Sequence, residues 1–170
     1  MKQSEKLWIQ NLARVSLGIP LKASHAAQLI QQSVSVFFEE LCSLMITYSH
    51  YFNELIAETK PQDCNRIFQT SQPRPGLIVL KGGDKMIISL EGKTIRVRTV
   101  QVHINSERNF QCYDFEPKQN EVGAVIWSCL NDGQTVNPQL VAEHYLTSFL
   151  VSGCRAISQT LRLVAVASHP

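Results

Sequence analysis

Apolar residues in the first third of the chain recur at three- and four-residue steps. Between residues 23 and 59 there is neither glycine nor proline, and Ala26, Ile30, Val34, Phe37, Leu41, Leu44, Tyr48, Phe52 and Leu55 follow that spacing. This is the periodicity of one face of an α-helix. Phe38, Cys42, Met45, Ile46, Tyr51 and Ile56 widen the apolar surface well beyond a stripe. A helix that is apolar nearly all round is buried centrally or covered by a partner.

Length sharpens the choice. A straight helix over 23–59 would run ~55 Å, whereas a compact domain of this size has a radius of gyration of ~15–16 Å. Either the helix breaks, with Ser33–Val36 and Ser49-His50 as the weak points, or a second subunit covers it. The second option predicts a homodimer whose interface uses Phe37, Phe38, Leu41, Met45, Tyr48 and Phe52. A shorter amphipathic helix is predicted over 3–17, with Trp8, Leu12 and Val15 on one face and Gly18 and Pro20 ending it.

After residue 60 the pattern changes. Residues 61–76 hold three prolines and a closing Gly76, and read as a linking loop. Alternating segments follow at 77–81, 85–90, 94–104, 110–115 and 122–130, with turn residues Gly82-Gly83 and Glu91-Gly92-Lys93 between the first three. Such short connections make an antiparallel meander, spanning 77–131. In the third segment Ile95 and Val97 lie on one parity and Val100, Val102 and Ile104 on the other. That switch predicts a bulge or bend near Thr99 and a curved sheet.

Asn137-Pro138 marks a helix start, because Asn caps the first turn and Pro suits its first position. The helix is expected over 137–160. The tail, 161–170, would be a sixth strand or a capping segment. The fold expected is therefore α+β, in a single domain over 1–170. It has N-terminal helices in 1–60 (one of them long and apolar), a curved antiparallel meander of five to six strands, and a C-terminal helix packed on the sheet. The sheet face without that helix must be covered by the long helix or by another subunit.

Composition fits this picture and removes some function classes. The chain has 170 residues, 44% hydrophobic and 18% charged, with net charge +2. That balance supplies no global field for nucleic acid or a membrane, so any anion site must be local. The N-terminal segment lacks the uninterrupted apolar core of a signal peptide. The longest uncharged apolar-rich run, residues 41–53, is shorter than the ~20 residues of a span. Cytoplasmic location with no membrane contact is expected. Cys42, Cys64, Cys112, Cys129 and Cys154 are odd in number and widely spaced, which argues for reduced thiols over a disulfide framework or a zinc cage.

Two constellations carry candidate chemistry. Asp84 followed by Glu91-Gly92-Lys93 resembles the signature of the restriction-endonuclease-like nucleases. The resemblance implies a Mg²⁺ held by Asp84 and Glu91, with Lys93 steadying developing charge. It covers about ten residues, and Gly92 and the turn position of Asp84 depart from the pattern; ordinary hairpin turns explain the same residues. The second constellation is basic: Lys81, Lys85, Lys93, Arg96 and Arg98 on the first three strands, with Arg74 and Arg108 nearby. It suits an acidic protein partner, or a phosphate backbone with Tyr113 or Phe115 stacking on bases. The plainer reading is a solvated sheet face or a charged edge that resists aggregation. His50 with Glu54 and His144 with Glu143 read as surface pairs. No motif names a catalytic residue, a metal or a cofactor. The reading favoured is a non-enzymatic protein-binding, adaptor or regulatory homodimer, with a nucleic-acid-associated regulator as the alternative and the nuclease behind both.

Overall fold

The computed structural model describes residues 9–10, 13, 16–17, 23–71, 74–102, 108–121 and 123–151. Its elements are helix α1 (Ala23–Ile56), a 3-10 turn (Pro61–Asp63), seven strands and helix α2 (Pro138–Leu150). The strands are β1 (Arg66–Thr70), β2 (Gly76–Lys81), β3 (Asp84–Glu91), β4 (Thr94–Val102), β5 (Arg108–Gln119), β6 (Val125–Cys129) and β7 (Thr135–Val136). They form one antiparallel sheet in sequence order, β1 to β7. The class is α+β, as expected, with seven strands in place of five or six.

The meander follows from its turns. Gly82 and Gly92 take positive φ, +57° and +66°, directly after β2 and β3. Glycine reaches that region at little cost, and it is the conformation that closes two-residue hairpins. Lys81 then faces Asp84, and Glu91 faces Thr94.

Register sorts the side chains into two faces. Ile67, Leu77, Val79, Met86, Ile88, Ile95, Val97, Tyr113, Phe115 and Trp127 share one face through their cross-strand pairing. Most of these are fully buried there. Both helices cover that face. Trp127 stacks on Phe37 of α1 at 4.2 Å and donates its indole N–H to the Ser33 hydroxyl at 2.9 Å. Tyr145 of α2 lies against Tyr113 and Phe115. Lys81, at the end of β2, donates to the carbonyl of Leu150. The molecule is thus two layers: a pair of helices on one side of a sheet, and nothing among the described residues on the other.

α1 runs unbroken for 34 residues, so neither expected break occurs. Ser33 and Val34 stay helical because the packing outweighs their weak propensity: Ser33 receives the Trp127 hydrogen bond and Val34 is fully buried. The length is absorbed by crossing the sheet. Ser33 sits at β6, while Asn53 exchanges two 2.8 Å hydrogen bonds with the backbone of Asn65 just before β1. Twenty residues of helix cover ~30 Å, and five strand spacings cover ~24 Å, so a slightly diagonal path fits. Among the described residues, Ala26–Ile56 is long and apolar enough to cross a membrane by length and composition. Here Val34, Phe37, Leu41 and Met45 direct that side onto the sheet.

Three further expectations change. Residues 61–76 are not only a loop, since Arg66–Thr70 pairs with β2 residue by residue. β4 carries no inserted residue at Thr99: its pairing with β3 and β5 passes straight through that position. Thr99 itself is buried beside Ile95 and Val97, and Val100 turns to the opposite face. The face without α2 is not covered by the long helix, because α1 and α2 share a face. The helix expected over 137–160 is described as far as Leu150. The expected 3–17 helix is described only at 9–10, 13 and 16, which are helical, and at Leu17, which is in a turn, with Trp8, Leu12 and Val15 outside the described residues. The tail over 161–170 also lies outside them.

The start of α2 matches expectation. The Asn137 carboxamide oxygen accepts from the Leu140 N–H at 2.8 Å, and Pro138 opens the helix. Removing that cap leaves an orphan amide, so Asn137→Ala is expected to lower stability by ~1 kcal/mol in urea unfolding.

Candidate protein-binding face

The open face of the sheet has an apolar half and a charged half. Phe68, Ile78 and Ile87 are direct cross-strand neighbours on β1, β2 and β3. One step along, Leu80, Lys85 and Val100 form the next row. Phe68 is 48% exposed, and Ile78, Leu80, Ile87 and Val100 are half-buried. β2 and β3 therefore carry continuous runs, Leu77 to Leu80 and Met86 to Ile88, that are apolar on both sides. Such runs belong to strands covered on both faces.

Beyond Ile87 the face becomes ionic. The Arg96 guanidinium grips Asp114 with two bonds, Nε to Oδ1 at 2.6 Å and Nη2 to Oδ2 at 2.9 Å, and donates to Glu91 at 2.6 Å. Glu91 also accepts from Arg98 at 3.0 Å and pairs with Arg74 at 3.2 Å. Glu116 accepts from the Thr94 hydroxyl at 2.7 Å and pairs with Lys93 at 3.4 Å. Asn131 braces the far side, accepting from the Asp114 N–H and donating to the Cys112 carbonyl.

The five cations singled out from the sequence do not form one positive field. Lys81 lies on the helix-covered face, 5.8 Å from the Phe52 ring centroid. Lys85 is on the open face among apolar neighbours. Lys93, Arg96 and Arg98 are all engaged with carboxylates. Arg108's side chain lies outside the described residues. Sequence reading named Glu91 only as a metal ligand and missed Asp114 and Glu116; the three carboxylates alternate with the bases across three strands.

These contacts shift the titration of the carboxyls. The hydrogen bonds from Arg96 hold Asp114 below the usual aspartate value, and the Thr94 hydroxyl, with Lys93, does the same for Glu116. The folded state thus releases these protons more readily than the unfolded one. The stabilisation is complete above the ordinary carboxylate pKa of ~4 and is lost as pH falls through the lowered folded values. Urea midpoints at constant ionic strength should drop below about pH 4. Asp114→Asn should flatten that drop and cost ~1 kcal/mol at neutral pH, given a quarter-exposed pair.

The Mg²⁺ constellation is not brought together. Asp84 and Glu91 stand at opposite ends of β3 and, seven residues apart, project to opposite faces. Glu91 is engaged by three arginines and Lys93 by Glu116. Among the described residues no group of three or more His, Cys, Asp or Glu is placed to hold a metal ion. His50 and Glu54 are both exposed on α1. His144 packs edge-on against Tyr145 at 4.9 Å. Cys42, Cys64, Cys112 and Cys129 are unpaired thiols, and Cys154 lies outside the described residues.

The helix positions expected at a dimer interface are largely consumed within one chain. Phe37, Phe38, Leu41 and Met45 are buried in the core, and Tyr48 and Phe52 pack against it half-buried. Exposed apolar residues on α1 are instead Val36, Tyr51 and Leu55.

No family model, curated protein or solved structure matches this chain. The functional reading therefore rests on its own geometry.

Proposed function

We propose that the chain is a protein-binding or regulatory module that works as a homodimer, joined through the open face of the sheet. The observation that carries this reading is the apolar half of that face: Phe68, Ile78 and Ile87 adjoin in one row, Leu80 and Val100 flank Lys85 in the next, and no described residue forms a layer over them. Contiguous apolar surface bordered by polar groups marks an interaction site, whereas scattered apolar residues do not. Closing a second layer over strands that are apolar on both sides is also how such sheets are completed.

The charged half supports a copy of the same chain as the partner. A two-fold axis sets each patch against itself. A face carrying Arg96 and Arg98 beside Glu91, Asp114 and Glu116 offers both signs to a rotated copy. The same alternation weighs against a phosphate backbone, which needs cations that are not already neutralised. Sedimentation equilibrium on the full chain tests the reading. Twice the chain mass at micromolar concentration is expected; a mass of one chain throughout would refute it.

A further inference from the structure

The two edges of the sheet are unlike. β7 is only two residues long. β1 is five residues long and, among the described residues, pairs on one side alone, with β2. Alternate residues of such a strand turn their N–H and C=O groups away from the sheet, where a further strand can take them up. The usual protections are few: within β1 there is no proline and no bulge, and Arg66 is its single charge.

Beside this edge, on the helix-covered side, α1 leaves a groove of about 580 Å³. Phe38, Cys42 and Ile46 supply its apolar helix wall, and the end of β1, Gln69 and Thr70, with Ser71, Pro75 and Gly76 where the chain passes to β2, supplies its strand side. Glu39, exposed, is the only charged residue among those that line it. Desolvation pushes the Cys42 thiol up to about 12, so at neutral pH it is a small apolar surface without thiolate reactivity. A sheet edge next to a helix wall is the layout for strand addition. The edge supplies main-chain hydrogen bonds, and every second side chain of the incoming peptide turns into the groove.

We propose that the groove between α1 and β1 binds an extended peptide as an eighth strand, with an apolar side chain over Phe38, Cys42 and Ile46 and a basic residue at Glu39. The outer backbone of β1, unpaired among the described residues, specifies a strand as the occupant, and the Glu39 carboxylate specifies its charge. The volume suits a few side chains, since ligand sites run from ~300 to ~1,000 Å³. The site needs one chain only and lies away from the open face, so it goes beyond the pairing proposed above.

The test is fluorescence anisotropy on the full chain with a labelled seven-residue peptide of alternating valine and threonine, ended by lysines. Saturable binding is expected. N-methylation of alternate peptide amides should weaken it about tenfold or more, since each lost bond contributes ~1 kcal/mol. Ser43→Trp, at an exposed groove position, should abolish binding and leave the thermal melt unchanged. Glu39→Lys should reverse the preference, favouring the same peptide with glutamate ends. No saturable binding at millimolar peptide would overturn the proposal. So would binding indifferent to N-methylation or to Ser43→Trp. A chain mass that falls on Arg66→Pro, with no peptide bound by the parent chain, would assign the edge to a second copy and also overturn it. Sedimentation mass in Ile87→Lys reads the open-face pairing separately.

Discussion

Ile87→Lys is expected to split the proposed dimer while leaving each chain folded. Ile87 stands at the centre of the apolar half of the open face, between Ile78 and Arg98 in its row. It is half-buried and points away from the helices, so the core packed around Met86 and Ile88 on the other face is untouched. Within one chain a lysine there can reach water along its flexible stem. Between two chains the same charge would be enclosed beside two like charges, Lys85 and Arg98, without a carboxylate of its own, a cost of several kcal/mol. Association should weaken by about 2–4 kcal/mol, or roughly thirty- to a thousandfold in dissociation constant. Sedimentation equilibrium reads the mass and circular dichroism the fold. Leu140→Lys, an exposed apolar position on α2, is the control and should change neither.

Leu41→Ala is expected to act in the opposite way, on folding and not on pairing. Leu41 has 0% exposure and sits midway along the crossing of α1 over the sheet. Truncation removes buried methyl groups and leaves a cavity that the packed layer cannot close, a loss of ~2–5 kcal/mol. Tyr51→Ala on the outer side of the same helix, at 63% exposure, should stay within about 0.5 kcal/mol of the parent. Urea denaturation of both variants reads the contrast. Near-equal losses would mean that α1 does not lie on the sheet through the face containing Leu41.

The contrast between these two positions shows what could be read from the chain alone. Spacing located α1 and its apolar breadth correctly, but breadth does not say what covers it. The ambiguity was resolved by a helix that crosses from β6 to β1 and also meets α2, so one chain covers Phe37, Phe38, Leu41 and Met45. Hairpin glycines and the Asn137-Pro138 cap were legible because each is a local backbone requirement. β1 was not: Arg66–Thr70 is short, lies among prolines, and owes its strand conformation to β2. The parity change at Thr99 was a real pattern with another cause. Val100 belongs to an open face that is itself partly apolar, so no bulge is needed.

The ion lattice was hidden for a related reason. Arg96 and Arg98 were visible as bases on one side of a strand, but their partners depend on the register of β4 against β5. Arg96 faces Asp114 only with the observed alignment. A shift of one residue would set it against Tyr113 or Phe115 instead. The sequence over 103–107 carries no signal strong enough to choose between those alignments.

Hydroxyl-radical footprinting across a dilution series tests most directly whether the open sheet face is the pairing surface. Protection of Phe68, Ile78 and Ile87 should rise with chain concentration, in step with sedimentation mass, while Tyr51 and Leu55 on α1 stay equally reactive throughout. Protection appearing at Tyr51 and Leu55 instead, or protection of the sheet residues that does not change on dilution, would contradict it.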